Sequence, residues 1–276
     1  MTDRRLTPAN GRVAARELAG RVEAERFVTP EAASVLAPVA DLWATPEARA
    51  RDRQILRGEA VDIYERHQGM AFLRARKDGY VGYVPEGGLG APLDATHIVG
   101  VPASHLYPAP DMKQPAVMRL SFGARLRVVA GSDRFFETAD GLHVPRPHLS
   151  PANRAFTDPA SVAQLFFGVP YLWGGNSIDG IDCSGLIQAA CVACHIPCPG
   201  DSDLQEGVLG RPLKDEAAQR GDLYFWKGHV AMAVDGEVLI HANAHHMAVN
   251  YEPIAAAIAR IDAQGDGAVT SRRRLD

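Results

Sequence analysis

One cysteine of the sequence lies where a side chain could act as a nucleophile. Cys183 follows a glycine-rich stretch, residues 171–182, and precedes an apolar run, residues 186–190, that favours a helix. A helix N-terminus presents unpaired backbone N–H groups and partial positive charge, and both lower the pKa of a thiol placed there. We therefore predict that Cys183 is a catalytic nucleophile. The alternative is a small buried cysteine, which the polar neighbours Asp182 and Ser184 disfavour.

Two histidines downstream could supply the base that a cysteine nucleophile needs. Residues 228–242 predict two β-strands on either side of Asp235-Gly236, a hairpin signal, and each strand carries one histidine. A two-residue loop would leave His229 and His241 on opposite faces of the hairpin. We predict a three-residue loop, with Gly236 in the left-handed conformation, which places His229 directly across from His241.

These residue types together indicate acyl transfer. Cys183 would attack an amide carbonyl, and His229 would take the thiol proton and later protonate the leaving amine. His241 would bind the far nitrogen of His229 and fix its tautomer. The backbone N–H of Cys183 would donate to the developing oxyanion. A single histidine in a strand is more often structural, but two matched positions beside a cysteine at a helix start favour catalysis.

Four ordered blocks resemble the catalytic domain of the NlpC cell-wall cysteine peptidases. They are Tyr171 to Ser184, Arg220 to Phe225, His229, and Ile240-His241-Ala242. The most similar subgroup is that of the γ-D-glutamyl-L-diamino acid endopeptidases, which carry bacterial SH3-like domains before the peptidase. The resemblance implies an α+β fold with a papain-like core, in which the cysteine helix packs against an antiparallel sheet, and it implies no cofactor and no metal.

The resemblance also implies further site residues within the peptidase domain. The hydroxyl of Tyr171 would be the second oxyanion donor, although a core aromatic is the alternative. Contacts with the substrate are implied for Trp173, Asp182, Ser184, Asp201 and Ser202. The subgroup usually has Arg immediately before that second Asp, whereas this chain has Gly200. This difference removes a charge that could bind a substrate carboxylate.

In the same subgroup the first SH3-like domain caps the cleft and recognises the amino group of an N-terminal L-Ala. Tyr80 or Tyr83 would be the tyrosine involved, and Glu47 or Asp52 would be the acid, with solvated surface charge as the alternative for each acid. A buried carboxylate facing an ammonium would require an unacylated N-terminus. The implied substrate is a short murein peptide, L-Ala-γ-D-Glu-diamino acid, with diaminopimelate or Lys as the diamino acid.

The chain divides into four predicted segments: an N-terminal arm at 1–33, a first SH3-like domain at 34–92, a second at 93–150, and the NlpC-type peptidase domain at 151–276. Residues 12–26 have a helical pattern of apolar residues among charges. After them, short apolar runs separated by Pro and Gly predict small β-barrels, and residues 79–84 resemble the closing strand of an SH3-like domain. Internal similarity between the two barrels is faint.

The composition is that of a soluble globular protein: 276 residues, 46% hydrophobic, 22% charged and a net charge of −4. Without a basic excess, neither nucleic acid nor an anionic membrane is expected as a partner. No apolar stretch has the length of a signal peptide or a membrane span. We therefore expect a cytoplasmic protein that processes murein peptides in cell-wall recycling.

The four cysteines do not suggest a disulfide framework. Cys191, Cys194 and Cys198 surround His195, a set that formally matches a haem-attachment motif and contains zinc-ligand types. We predict no metal, because the segment continues the Cys183 helix and buried cysteines in helices are common.

The sequence leaves two other functions open. A thiol acyltransferase or amidase could use the same scaffold, because other nucleophiles can resolve an acyl-enzyme. A non-catalytic SH3-like peptide-binding protein is the second, and the intact Cys183, His229 and His241 disfavour it. We predict a cysteine endopeptidase that hydrolyses the γ-D-Glu to diamino-acid bond.

Overall fold

A computed structural model describes residues 3–275. They divide into two compact units, before and after the bond that joins Arg154 to Ala155. The first unit consists of β-strands and 3-10 turns, and the second combines α-helices with an antiparallel sheet, so the predicted α+β class is confirmed. Within residues 3–275, no helix has both the length and the apolar character needed to cross a lipid bilayer.

The first unit begins with a parallel strand pair and a seven-stranded sheet. Its strands are β1 (Val13–Ala15), β2 (Arg26–Val28), β3 (Glu31–Val35), β4 (Val39–Trp43), β5 (Arg51–Leu56), β6 (Ala60–His67), β7 (Met70–Ala75), β8 (Val81–Pro85) and β9 (Leu89–Gly90). The sheet order is β5-β4-β8-β7-β6-β3-β9. Strand β5 was not predicted, because it begins with four consecutive polar residues and so lacks the alternation of apolar and polar residues that indicates a strand. These residues are Arg51, Asp52, Arg53 and Gln54. Arg53 is nevertheless buried, with its guanidinium over the ring of Tyr80.

The helix predicted within residues 12–26 is wrong. These residues form β1, a 3-10 turn at Arg16–Leu18 and the start of β2, which pairs with β1 in parallel. Val13, Ala14 and Ala15 are all fully buried, whereas a surface helix would bury only every third or fourth residue. The arm packs instead onto aromatic side chains of the seven-stranded sheet.

Short strands also fill the rest of the first unit. They are β10 (His97–Val99), β11 (Ala103–Leu106), β12 (Met118–Ser121), β13 (Arg125–Leu126), β14 (Val128–Gly131), β15 (Phe135–Thr138), β16 (His143–Pro145) and β17 (Leu149–Pro151). They form three small sheets around a core that includes Val99, Leu120 and Val144. This arrangement accords with a second β-unit, and its identity as an SH3-like domain stays a prediction.

The second unit places helices before and against a six-stranded antiparallel sheet. Its elements are α1 (Pro159–Gln164), β18 (Asn176–Ser177), β19 (Gly180–Ile181), α2 (Cys183–Ala193), α3 (Ser202–Val208), β20 (Arg211–Leu213), β21 (Leu223–Trp226), β22 (His229–Ala233), β23 (Val238–Asn243), β24 (Ala248–Pro253), α4 (Ile254–Ala263) and β25 (Ser271–Arg274). The sheet order is β20-β25-β21-β22-β23-β24. Helix α2 packs on β22 and β23, which carry the two predicted histidines.

Asp182 determines where α2 begins. Its carboxylate accepts a hydrogen bond from the backbone N–H of Gly185 at 2.6 Å, which caps the helix. Its other oxygen accepts from the N–H of Gly174 at 2.9 Å, in the glycine-rich loop. One side chain thus joins the loop to the helix and holds Cys183 at the first helical position.

Gly185 is required where α2 meets this loop. A Cβ atom at residue 185 would lie 2.4 Å from the carbonyl oxygen of Gly175, which is backbone and cannot turn away. We expect Gly185→Ala to lower the free energy of unfolding by about 1–3 kcal/mol, the usual cost of overpacking. Gly207→Ala in α3 is the matched control, because nothing lies within 4 Å of its Cβ position. Equal urea midpoints for the two variants would contradict this account of the loop.

Candidate active site

Cys183 is the first residue of α2, as predicted. Only 7% of its surface is exposed. The backbone N–H of Val230 in β22 is directed at its sulfur, as are the N–H groups of Cys183 and Ser184. The sulfur therefore lies where the start of α2 meets the start of β22, and His229 is the residue before Val230 in that strand.

The ionisation of this thiol differs from the expectation. Burial raises the pKa of Cys183 to about 12, and the negative charge of Asp182 acts in the same direction. The backbone N–H groups at the helix start lower the pKa, but they do not reverse the rise. The predicted lowering of the thiol pKa is therefore wrong, and the resting thiol keeps its proton until it reacts.

His229 and His241 lie on one face of the hairpin formed by β22 and β23. Nε2 of His229 is 2.9 Å from Nδ1 of His241, so the predicted hydrogen bond between the two rings is confirmed. His241 is fully buried. Because Nε2 of His229 is occupied, Nδ1 is the nitrogen left to take a proton from Cys183.

The hairpin loop has the predicted length but a different conformation. The N–H of Val234 donates to the carbonyl of Val238, so three residues form the loop. Gly236 is not left-handed, and that part of the prediction is wrong. The Asp235 carboxylate instead accepts the N–H groups of Glu237 and Val238, both at 2.8 Å. A side chain thus satisfies the turn, and no unusual backbone angle is needed.

The register of the hairpin also differs from the prediction. Met232 pairs with Ile240, and this register, continued along the strands, places His229 opposite Asn243 and two positions from His241. Residues on neighbouring strands that are offset by two still share a face and remain within reach of long side chains. The diagonal offset therefore permits the observed hydrogen bond between the rings.

Two residues that sequence reasoning missed continue this hydrogen-bond chain. Nε2 of His241 is 3.1 Å from Oε2 of Glu252, at the end of β24. Arg260 of α4 donates to both oxygens of that carboxylate, at 2.9 and 2.8 Å. Glu252 pairs with Leu239, two residues from His241, so it shares the face of that histidine. The sequence does contain an acid, Glu252, at a position that alternates onto the face of His241. Recognising it required knowing how β24 pairs with β23.

The Glu252 carboxylate fixes the protons of both imidazoles. Paired with Arg260, it keeps a pKa below its usual value and accepts only, so Nε2 of His241 must be the donor. Nδ1 of His241 is then an acceptor, and Nε2 of His229 donates to it. Nδ1 of His229 consequently carries the lone pair that a general base needs.

Both imidazoles are uncharged at neutral pH. Burial lowers the pKa of His229 to about 3, and the neighbouring His241 adds to this effect. Burial likewise lowers the pKa of His241 to about 4, although the Glu252 charge opposes the change. The site at rest therefore pairs a neutral thiol with a neutral imidazole.

Tyr171 and Trp173 belong to the loop that precedes the cysteine. Burial raises the pKa of Tyr171, and the electrostatic interactions with Asp182 and with an ionised Cys183 act in the same direction, which places this phenol near the sulfur with its proton retained. Trp173 is 70% exposed. Both line a cavity of about 250 Å³ that also borders His229. Their implied roles, an oxyanion donor and a pocket wall, stay predictions.

The other implied substrate contacts of this unit do not line that cavity. Asp182 and Ser184 are buried, and Ser184 donates to Asp182 at 3.0 Å. Asp201 precedes α3, and Ser202, its first residue, is buried. Gln205 of the same helix donates to the carbonyl of Ser184 at 2.8 Å. The loop before α3 is thus held against the start of α2.

The residues implied in amine recognition all lie in the first unit. Tyr80 and Tyr83 are buried in the seven-stranded sheet. Asp52 is paired with Arg4 at 2.8 Å, and Glu47 is exposed. Asp52 already has a cationic partner, so Glu47 is the better candidate of the two acids. The recognition roles stay predictions.

None of the four cysteines forms a disulfide in the described structure. Cys191 and Cys198 are buried, and Cys194 is partly exposed. Across residues 3–275, no group of three or more His, Cys, Asp or Glu side chains is arranged to hold a metal ion.

Comparisons with known proteins match both units. The model described as the NlpC/P60 family matches residues 168–261, and the one described as the bacterial dipeptidyl-peptidase Sh3 domain matches residues 42–89. Strands β4 to β9 fall within or overlap the second match, and the cysteine helix and the histidine hairpin fall within the first.

Three curated relatives match parts of this chain. A γ-D-glutamyl-L-lysine dipeptidyl-peptidase of Bacillus subtilis is 31% identical over 189 residues, 61% of this chain and 62% of that protein. A protein of the same name from Bacillus cereus is 26% identical over 77% of this chain and 73% of its own length. Dipeptidyl-peptidase 6 of Lysinibacillus sphaericus is 35% identical, but the chain spans only about a third (32%) of it.

A solved structure agrees with the whole fold. The crystal structure of an NlpC/P60 family protein from Bacillus cereus superposes with a TM-score of 0.75, over 89% of this chain and 99% of that one. At 21% identity this likeness supports the fold alone. Together with the family matches, it confirms the resemblance seen in the sequence. The chain therefore carries an NlpC/P60 domain, matched at residues 168–261, after a bacterial dipeptidyl-peptidase Sh3 domain, matched at residues 42–89.

Proposed function

We propose that this chain is a cysteine peptidase that hydrolyses the γ-D-Glu to diamino-acid bond of short murein peptides with an unacylated N-terminal L-Ala. The observation that carries the proposal is the hydrogen-bond chain from Glu252 through His241 to His229, which leaves Nδ1 of His229 as an acceptor one residue before the Val230 N–H that is directed at the Cys183 sulfur. The names of the Bacillus relatives support the bond type.

The reaction follows from the positions of these groups. As the sulfur of Cys183 attacks the amide carbon, its proton passes to Nδ1 of His229, and the oxyanion forms near the N–H of Cys183 and the hydroxyl of Tyr171. The C–N bond then breaks, His229 protonates the leaving amine, and a thioester remains. Water, deprotonated by His229, attacks the thioester, and the thiol regains a proton as the acid leaves.

The proposal includes a place in the recycling of cell-wall peptides in the cytoplasm. In intact murein the amino group of L-Ala is bound as an amide to the sugar, so an enzyme that requires this amine would act only on released peptides. Peptides of this kind are the material of recycling rather than of wall remodelling.

The direct test is turnover of L-Ala-γ-D-Glu-diaminopimelate with the full chain. We expect release of L-Ala-D-Glu and diaminopimelate, measured by mass spectrometry, and little turnover of the N-acetylated analogue. Cys183→Ala should lower kcat by at least about 10⁴-fold, because it removes the nucleophile. Cys194→Ala, which changes another cysteine of the same segment, is the matched control and should retain activity.

Each alternative function has its own result in this assay. A product carrying an added amine or a second peptide on the glutamyl group would identify an acyltransferase. Binding of the peptide without turnover would identify a non-catalytic binding protein. Equal turnover of the free and acetylated peptides would remove amine recognition from the proposal while leaving the peptidase intact.

The pH dependence of kcat/KM should reflect the low pKa of His229. A base with a pKa of about 3 stays neutral down to acidic pH, so kcat/KM should change little between pH 7 and pH 5. A histidine of ordinary pKa would lose about thirtyfold of its basic form at pH 5. Circular dichroism at each pH checks that the protein is folded, and a half-maximal rate between pH 6 and 7 would contradict the neutral resting pair.

Glu252 should act as a positioning residue for the two histidines. Glu252→Leu removes the acceptor that holds the His241 proton on Nε2, so we expect kcat to fall by about 10²- to 10⁴-fold, as when a histidine base loses its correct tautomer. Glu252→Gln keeps one acceptor oxygen and should recover part of the rate. Glu237→Gln, at an exposed carboxylate of the hairpin loop, is the matched control.

A purely structural role for Glu252 predicts a different result. In that case Glu252→Leu would lower the melting temperature, but the correctly folded fraction, measured by circular dichroism, would retain the normal kcat. Rates corrected for this fraction therefore separate positioning from folding.

A further inference from the structure

A cavity borders His229, which in the proposed reaction protonates the leaving amine. It is bordered by Tyr171, His229, Lys227, Arg260 and Asp266, all in the second unit. His229 protonates the departing amine, so the leaving diamino acid must lie against this imidazole. Of the implied substrate contacts in this unit, Trp173 lines the cavity, whereas Asp182, Ser184, Asp201 and Ser202 lie outside its lining.

The cavity carries charges of both signs. Lys227 is exposed in the tight turn between β21 and β22, and its ammonium forms no ion pair within the part of the chain that the structure describes. Asp266 is also exposed, and it lies close enough to Arg260 for its negative charge to raise the pKa of that guanidinium. The guanidinium of Arg260 is already held by Glu252 and by Gln264, the latter at 2.8 Å. Lys227 and Asp266 are therefore the charges available to a ligand.

The two candidate diamino acids differ at the end of the side chain. Diaminopimelate ends in an ammonium and a carboxylate on the same carbon, whereas lysine ends in an ammonium alone. Because the cavity offers one available cation, Lys227, and one available anion, Asp266, it complements both the carboxylate and the ammonium at the distal end of diaminopimelate. With lysine, Asp266 would be satisfied, but Lys227 would face a like charge.

We propose that this cavity binds the leaving diamino acid and selects diaminopimelate over lysine, with Lys227 facing the distal carboxylate and Asp266 facing the distal ammonium. The inference rests on the proposed function, because it assigns the side chain of that substrate. It places the selection between the two diamino acids in the second unit, at the turn between β21 and β22 that holds Lys227 and precedes His229.

The test compares kcat/KM for L-Ala-γ-D-Glu-diaminopimelate and L-Ala-γ-D-Glu-L-Lys. We expect the native chain to prefer the diaminopimelate peptide and Lys227→Met to lower that preference by about fivefold, the upper range for an exposed ion pair. Lys227→Glu should lower it further. Asp266→Asn should reduce kcat/KM for both peptides alike, because both carry the distal ammonium.

Lys214→Met is the matched control, since it removes an exposed lysine of the same unit that does not border the cavity. Its ratio of rates should equal that of the native chain. Turnover of both peptides with an unchanged ratio in Lys227→Met and Lys227→Glu would overturn this inference and leave the peptidase in place. Absence of turnover of either peptide by the native chain would instead remove the proposed function, and this inference with it.

Discussion

The ion pair between Glu252 and Arg260 determines the direction of both hydrogen bonds in the histidine relay, from Glu252 through His241 to His229. Because the carboxylate accepts and cannot donate, the two histidines behind it can take only one arrangement of protons. The pair is largely buried, and removing one partner of such a pair typically costs about 3–5 kcal/mol. Arg260 therefore has two effects: it keeps Glu252 ionised, and through Glu252 and His241 it keeps the proton of His229 on Nε2 and the lone pair on Nδ1.

Local sequence determines the parts of the site that the sequence analysis predicted. Asp182 caps the helix that follows it, the glycines allow the loop to pass close to that helix, and a turn signal separates the strands of the two histidines. These features depend on neighbours only a few residues away. The positions of Cys183, His229 and His241 could therefore be predicted, and the mixed α+β class with them, whereas their catalytic roles belong to the proposal.

The features that the sequence did not reveal depend on distant parts of the chain. Glu252 and Arg260 reach His241 only because β24 pairs with β23 in one particular register and α4 follows it. Burial of Val13 to Ala15 against aromatic side chains more than forty residues away turned a helical pattern into a strand. The pKa of Cys183 rose because the assembled fold excludes water from the sulfur, an effect that no short motif contains.

A neutral thiol and a neutral imidazole at rest affect the two steps of the reaction differently: the deprotonation of the thiol becomes harder, and the protonation of the leaving amine becomes easier. An imidazole with a low pKa is a weak base, so it removes the thiol proton only as the sulfur bonds to carbon and the oxyanion forms. The same imidazole, once protonated, is a strong acid, and the leaving group is an amine that departs poorly without a proton. Burial, together with the charge of Arg260, disfavours the transient imidazolium of His229, whereas the Glu252 charge favours it. In the proposed reaction, burial of this relay would promote departure of the diamino acid, and the helix-start N–H groups would assist the attack that precedes it.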